Sequence, residues 1–451
     1  MLKRKAWQEM ESWRNAKTKQ ALLVTGARQI GKTYLVREFA RTHWKHLVEL
    51  NLLENADARE AIATARSSRE LFMRISAFAD EPLVPGETLI FIDEIQEAKE
   101  AVTALKFLLE RDDFDYIISG SMLGVELRSI RSAPVGYLTT LTMHPLDFEE
   151  HCWANGLSED VISEVRRCFE VREPVDDYVD RRMSELYHRY LISGGMPEPV
   201  KAFVGTDSVE AVRIQQNAIV EQYRADISKY AGGRSRIVRR IFDLMPSEIS
   251  SQDKRFKAVD IDGDSHVDRY ADDFMWLVDA NAALAVYNVN EPRYPLEVSV
   301  QSKRMKLFSS DVGLLTYQCG MDVVRDISLD RTDINFGAIY ENAIAQELTA
   351  HGFKPRYYKN RSIGELDFVV QWPYDRVLPI EVKSGKGYKR HSALDNAFKP
   401  ENNYGIERAI VFHEGNVETD GGVVYLPAYM AFCLEAQGQG DYWQVPTSGS
   451  E

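Results

Sequence analysis

The chain has 451 residues, a formal net charge of −14, 44% hydrophobic and 27% charged residues. That length exceeds a single typical core and predicts about two to four domains. The composition is globular, no apolar run approaches the length of a membrane span, and the acid excess argues against a protein coated in nucleic acid while leaving room for a local basic groove.

In chain order, MLKRKAWQEM is basic but no long apolar stretch follows it, so it does not read as a secretory signal, and a cytoplasmic protein with no membrane partner is expected. ALLVT at 21–25 suits a buried strand, GARQIGK a loop and TYLVREFART a helix. HLVELNL at 46–52, TLIFIDE at 88–94 and DYIISGS at 115–121 read as further strands, with the amphipathic helix AVTALKFLLER before the last. Strands alternating with helices imply a parallel sheet covered on both faces. These elements define a first domain over 1–150.

From 151 to 330 helical periodicity dominates, in VISEVRRCFEV, VDRRMSELYHRYL, AVRIQQNAIVEQYRADISKYA, RRIFDLM and ADDFMWLVDANAAL. SGGMPEP at 193–199 and AGGR at 231–234 break it. From 331 to 451 the pattern is mixed: YENAIAQELTAHG is helical and ends at a glycine, and PRYYK, ELDFVVQW, VLPIEVKS and RAIVFHE read as strands. The tail GQGDYWQVPTSGSE reads as frayed. Cys152, Cys168, Cys319 and Cys433 lack zinc or Cys-x-x-Cys spacing and are expected to be reduced, mostly buried thiols.

GARQIGKT at 26–33 fits the phosphate-loop pattern in full. Gly26 and Gly31 allow backbone angles that turn successive N–H groups of Ala27, Arg28, Gln29 and Ile30 toward an anion, and the following helix aims its positive end at the same point. Lys32 adds a cation for the β- and γ-phosphates of ATP, and the Thr33 hydroxyl is a Mg²⁺ ligand. LIFIDE delivers Asp93 and Glu94 to the end of a buried strand, where open α/β sheets bind ligands. Asp93 is expected to hold Mg²⁺ through water, and Glu94 to orient the attacking water. Ser121, or failing that Ser119, is the candidate γ-phosphate sensor. Arg128 and Arg131 are candidate arginine fingers.

The segments GARQIGKT, LIFIDEIQE, YIISGSMLG and PVGYLTTLTMHPLDFEE resemble the AAA-type ATPases of bacteria and archaea that carry the C-terminal domain of unknown function 4143. YLISGGMPEPV, MKLFSSDVGLL, GAIYENAIAQEL, GELDFVV and PIEVKSGK resemble that C-terminal domain. The resemblance implies an α/β fold: a P-loop ATPase core, a helical middle with a winged-helix-like part, and an endonuclease-like terminal domain. It also implies a possible homo-oligomer. Where many relatives resemble SLAGR after the fourth strand, this chain has ELRSIRSAPVGY, which weakens any arginine assignment.

A second constellation comprises Glu341, Glu365, Asp367, Glu381 and Lys383. Glu381 and Lys383 share one strand face. Carboxylates gathered at a point repel, and Mg²⁺ or Mn²⁺ held by Glu341, Asp367 and Glu381 would relieve that repulsion and activate water, with Lys383 adding charge. The pattern looks like the restriction-endonuclease motif, and the basic run KSGKGYKRH beside it could meet DNA. The rival reading is an ATP-driven switch whose terminal fold only binds, with a protein partner. GGRSRIVRR at 232–240 reads first as a solvated helix face and second as a DNA contact, and His144 with His151 as no metal site.

Overall fold

The computed structural model describes residues 2–18, 20–80, 83–98, 109, 114–121, 136–251, 260–261, 267–329, 336–372, 376–385 and 387–436. Arg128, Arg131, the helix expected over 101–111 (residue 109 apart) and the tail from 437 lie outside the described residues.

The first sheet holds β1 (Ala21–Gly26), β2 (His46–Asn51), β3 (Thr88–Asp93), β4 (Asp115–Gly120) and β5 (Leu138–Met143). Its order is β2-β3-β4-β1-β5, and every pairing is parallel. All six residues of β3 are buried, because helices cover both faces of such a sheet. Leu22, Val24, Leu89, Phe91 and Ile117 face one core, and Leu23, Ile90, Ile92 and Ile118 face another. β4 lies between β1 and β3, so its C-terminal Ser119 and Gly120 arrive between the ends of those two strands. β5 was not among the strands expected. LTTLTM is a half-exposed edge strand, and its threonines give no buried run to read.

Between Met143 and Ala283 the described residues form helices and turns and no strand. The longest helix among the described residues is Val209–Tyr230. The turn at Gly194 and Gly195 is wedged tightly: a Cβ on Gly195 would stand 2.0 Å from the Leu146 carbonyl oxygen. The Gly195 N–H donates to buried Asp311, 2.6 Å away, which also caps the helix Val312–Cys319. Thus SGGMPEP and SSDVGLL meet in space.

The second sheet is mixed, with order β12-β13-β11-β10-β9-β8-β6-β7. It contains β6 (Ala283–Val289), β7 (Val300–Ser309), β8 (Arg356–Asn360), β9 (Gly364–Trp372), β10 (Arg376–Val382), β11 (Ala409–His413), β12 (Glu418–Asp420) and β13 (Val423–Pro427). β6 and β7 belong to the stretch expected to be helical, and β6 pairs in parallel with β8. The sheet therefore begins well before residue 331. The helix expected through ADDFMWLVDANAAL stops at Asp279, and Asn281 turns the chain with φ 54°. Ala and Leu beyond it are strand residues because a sheet partner awaits them, which overrides helix propensity.

One apolar core runs from the first sheet through the helical middle to the second sheet, joining Phe91, Phe148, Tyr190, Ile344 and Phe368. The four cysteines are free, three of them buried. No helix among the described residues is long and apolar enough to cross a membrane.

Candidate functional site

β1 ends at Gly26, and residues 26–31 wind back into the helix Lys32–His43. Gly26 has φ 133° and Gly31 φ 89°. A Cβ on Gly26 would stand 2.2 Å from the Met143 carbonyl oxygen, so both angle and space demand glycine. Ala27 and Ile30 are buried, Arg28 half-buried and Gln29 exposed. Lys32 is 6% exposed, and its Nζ donates to the carbonyls of Gly26 at 3.0 Å and Ala27 at 2.7 Å. Burial pulls Lys32 down to about 8, opposed by Glu94 and Asp93 and assisted by Arg28. The ammonium is folded onto neutral carbonyls of its own loop, so an anion entering that loop gains a buried, under-neutralised cation.

Asp93 closes β3 and accepts hydrogen bonds from Thr33 Oγ1 at 2.8 Å, from Asn51 Nδ2 at 3.3 Å and from the Ser119 hydroxyl. Burial raises the Asp93 carboxyl, and the hydroxyls of Ser119 and Thr33 oppose that. Thr33 and Asp93 present only oxygen ligands, which suit a hard divalent cation. Glu94 adopts φ 55°, and its carboxylate accepts from Ser121 Oγ at 3.0 and 3.2 Å and from the Gln96 amide. The two serines therefore divide: Ser119 serves Asp93, and Ser121 serves Glu94. Asn51 and Gln96 went unread in the sequence. For Asn51 a signal exists, a polar residue ending β2 level with Asp93.

The helical middle closes over this site. A Cβ on Gly31 would lie 4.0 Å from Pro197. Arg28 Nη1 pairs with Asp226 at 2.9 Å, and the Tyr230 hydroxyl donates to Glu97 at 2.9 Å.

Residues 18–152 match the AAA domain family. The chain carries an N-terminal AAA domain. Behind the AAA domain, residues 184–324 match a domain of unknown function, DUF8612, and residues 336–430 match another, DUF4143. The chain is similar to a solved Walker-type ATPase, paby2304 of Pyrococcus abyssi, with 14% identity, a TM-score of 0.42 and coverage of 71% of this chain and 96% of that one. It is also similar to PCH-2 of C. elegans, with 13% identity, a TM-score of 0.25 and coverage of 48% and 65%. No curated protein matches it.

Away from the AAA domain, the second constellation is drawn together around a residue the sequence did not single out. Lys306 of β7 reaches Glu341 at 3.1 Å and Glu365 at 2.7 Å and is 1% exposed. Burial alone would pull its ammonium down, but Glu341, Glu365 and Asp367 together hold it above the usual lysine range. Lys359 takes the second Glu365 oxygen at 2.7 Å. Asp367 accepts from the Val382 N–H at 3.0 Å. Glu381 pairs with Lys383 at 3.0 Å, while its Oε1 is buried with no hydrogen-bond partner among the described residues. Burial, then the charge of Asp367, push Glu381 up to about 8 against Lys383.

Glu341 is thus drawn to Lys306, whereas Asp367 and Glu381 face each other across β9 and β10. Among the described residues no group of three or more His, Cys, Asp and Glu side chains is placed to hold a metal ion. The basic run beside the cluster is largely occupied: Lys389 pairs with Glu418 at 2.6 Å and His391 with Asp395 at 2.9 Å. In GGRSRIVRR, Arg234 bonds Asp273 at 2.9 Å. His151 is buried and His144 half-buried, and desolvation lowers them to about 3 and about 4.

Proposed function

We propose that this protein is a Mg²⁺-dependent ATPase whose nucleotide state is passed through the helical middle to a C-terminal module that binds a partner without cutting it. The observation that carries the ATPase reading is the meeting of Lys32, Thr33, Asp93 and Glu94 at the ends of β1 and β3. Lys32 would leave its loop carbonyls for the β- and γ-phosphoryl oxygens. Thr33 and Asp93 would hold Mg²⁺, which when bound supplies charge neutralisation at those oxygens. Glu94 would accept a hydrogen bond from the attacking water and orient it, with Ser121 fixing its carboxylate. The water oxygen bonds to the γ-phosphorus as the bond to the bridging oxygen breaks. ADP leaves with that electron pair, and the water's protons remain with phosphate and solvent.

The non-cutting reading of the C-terminal module is supported by Lys306, an internal cation among the carboxylates that a catalytic metal would need. The other reading, an endonuclease-like domain cutting DNA with Mg²⁺ or Mn²⁺ under ATP control, is favoured by one observation, the buried unpartnered oxygen of Glu381 beside Asp367 and Lys383. Phosphate release and plasmid integrity, followed together for the parent, Lys32→Ala and Glu381→Ala, separate these. Phosphate release that depends on Lys32 with intact plasmid supports the switch. Nicking that Glu381→Ala abolishes supports the nuclease. Phosphate release unchanged in Lys32→Ala overturns the ATPase reading.

A further inference from the structure

Arg28 is the third residue of the eight-residue loop GARQIGKT, on the stretch whose backbone wraps an anion. Its guanidinium does not turn out to solvent. Nη1 pairs with Asp226 at 2.9 Å, Nη2 reaches the Tyr230 hydroxyl at 3.4 Å, and the group lies over the Tyr230 ring, 5.7 Å from its centroid. Both partners sit in the last two turns of the helix Val209–Tyr230. The pair bridges the two halves of the nucleotide site: Arg28 is close enough to Lys32 to depress its ammonium, and Asp226 is close enough to Glu94 to feel its charge.

The pair is also incomplete. Arg28 Nε and Asp226 Oδ2 are buried, and neither has a hydrogen-bond partner among the described residues. Asp226 Oδ1 serves both Arg28 and Gln222, whose amide is 3.1 Å away. A guanidinium has a planar fork that prefers two oxygens of one anion at once, and here it finds one carboxylate oxygen and, at 3.4 Å, a neutral hydroxyl. Two buried polar atoms left unpaired make this contact one that a better acceptor can displace.

We propose that Arg28 is the arginine that contacts the γ-phosphoryl group of bound ATP, and that Asp226 holds it in reserve until that group arrives. This rests on the ATPase reading above. The γ-phosphoryl group offers several anionic oxygens to the fork, so ATP takes Arg28 from Asp226, whereas ADP lacks them and leaves the pair in place. Stripped of the guanidinium, Asp226 becomes a buried carboxylate beside Glu94, and the end of the helix Val209–Tyr230 is pushed off the loop. The same helix end holds Glu97, three residues after Glu94, through Tyr230. Exchange of one ion pair thereby signals nucleotide state to the helical middle, using an arginine from within the loop.

The test uses the full chain and three variants, Arg28→Ala, Arg28→Lys and Asp226→Asn, with Lys32→Ala as the control for the ATPase reading. Fluorescent ATP and ADP analogues give affinities, phosphate release gives kcat and KM, and hydrogen exchange follows residues 209–230. Arg28→Ala is expected to lower kcat by about 100- to 1,000-fold and to bring the affinities for ATP and ADP together. Arg28→Lys keeps the charge but loses the fork and is expected to recover little of kcat. Asp226→Asn is expected to lower KM for ATP and leave the inhibition constant for ADP unchanged, with residues 209–230 exchanging at the rate that ATP induces in the parent. A structural role for Asp226 would instead weaken both nucleotides equally. Parent-like kcat and ATP-over-ADP preference in folded Arg28→Ala overturns the proposal. Should Arg28→Ala not fold, a weaker ATP affinity in Asp226→Asn overturns it equally. Loss of the ATPase reading shows separately, as a parent that binds neither nucleotide or a Lys32→Ala that still releases phosphate.

Discussion

Lys306 and Glu341 face each other at 3.1 Å with side chains 1% and 2% exposed, so the C-terminal module keeps an ion pair almost wholly out of water. Such a pair contributes little net stability against an apolar replacement, yet breaking one half leaves a buried charge. Lys306→Met takes this buried cation from Glu341 and leaves Glu365 with Lys359, and is expected to cost about 3–5 kcal/mol, read as a lower urea midpoint. Mn²⁺ is expected to restore part of that midpoint in Lys306→Met and to leave the parent's unchanged, since only the variant lacks its internal cation. A variant as stable as the parent in chelator would show that Lys306 does not neutralise the cluster.

Glu94 holds its carboxylate on Ser121 and stands at the end of β3 with φ 55°, an angle that costs a non-glycine residue and is kept where position matters. Glu94→Gln keeps shape and the backbone angle but removes the charge that orients water. ATP binding is expected to persist while turnover falls by about 100- to 1,000-fold, seen as ATP retained on the protein in single-turnover assays. Loss of ATP binding in this variant would assign Glu94 to holding the site together.

Gly195 has no room for even one methyl group, since its Cβ would stand 2.0 Å from a main-chain oxygen of Leu146. Gly195→Ala must shift backbone at the junction of the AAA domain and the helical middle, where the Gly195 N–H also binds Asp311. A cost of more than about 2 kcal/mol is expected in thermal unfolding, far above the fraction of a kcal/mol for a glycine-to-alanine change in open space. A neutral result at Gly195 would mean that the turn relaxes freely and does not lock the junction.

What the sequence made legible was local. GARQIGKT and LIFIDE each carry their chemistry within one strand and its following turn, and a buried parallel strand announces itself as an apolar run. Ser119 and Ser121 were readable as a pair, but which carboxylate each serves depends on β4 lying between β1 and β3. Lys306 was hidden because β7 fell within the stretch expected to be helical, and only its place at the edge of the second sheet, paired with β6, brings it to Glu341 and Glu365. Asp226 was hidden for the same kind of reason. It lies on a helix whose period marks it as one of several polar positions, and its partner is 198 residues away, from 28 to 226.

His351 links the AAA domain to the C-terminal module. Its Nδ1 lies 2.6 Å from the Leu434 carbonyl oxygen and its Nε2 3.0 Å from Asp147, so both nitrogens face acceptors, as in an imidazolium. Burial alone would pull His351 down, but the hydrogen bond and charge of Asp147 raise it above the ordinary histidine value. Lys5 binds the same Asp147 at 2.6 Å, and Arg4 ties the Ile30 carbonyl of the phosphate loop to this corner at 2.9 Å. A group whose folded pKa lies above its unfolded value stabilises fully below about pH 6.5, and that stability is lost as pH rises through the folded value. Glu347, pushed up to about 7 chiefly by burial, acts in the same direction, because the fold favours its protonated form. Half-buried His144 and buried His151 act oppositely, favouring unfolding as pH falls below about 6.5. His351→Gln is therefore expected to cost about 1.5–3 kcal/mol near pH 6 and less near pH 9, measured as the difference in urea midpoint from the parent. An equal cost at both values would mean that His351 holds the junction as a neutral ring, and that its charge contributes nothing there.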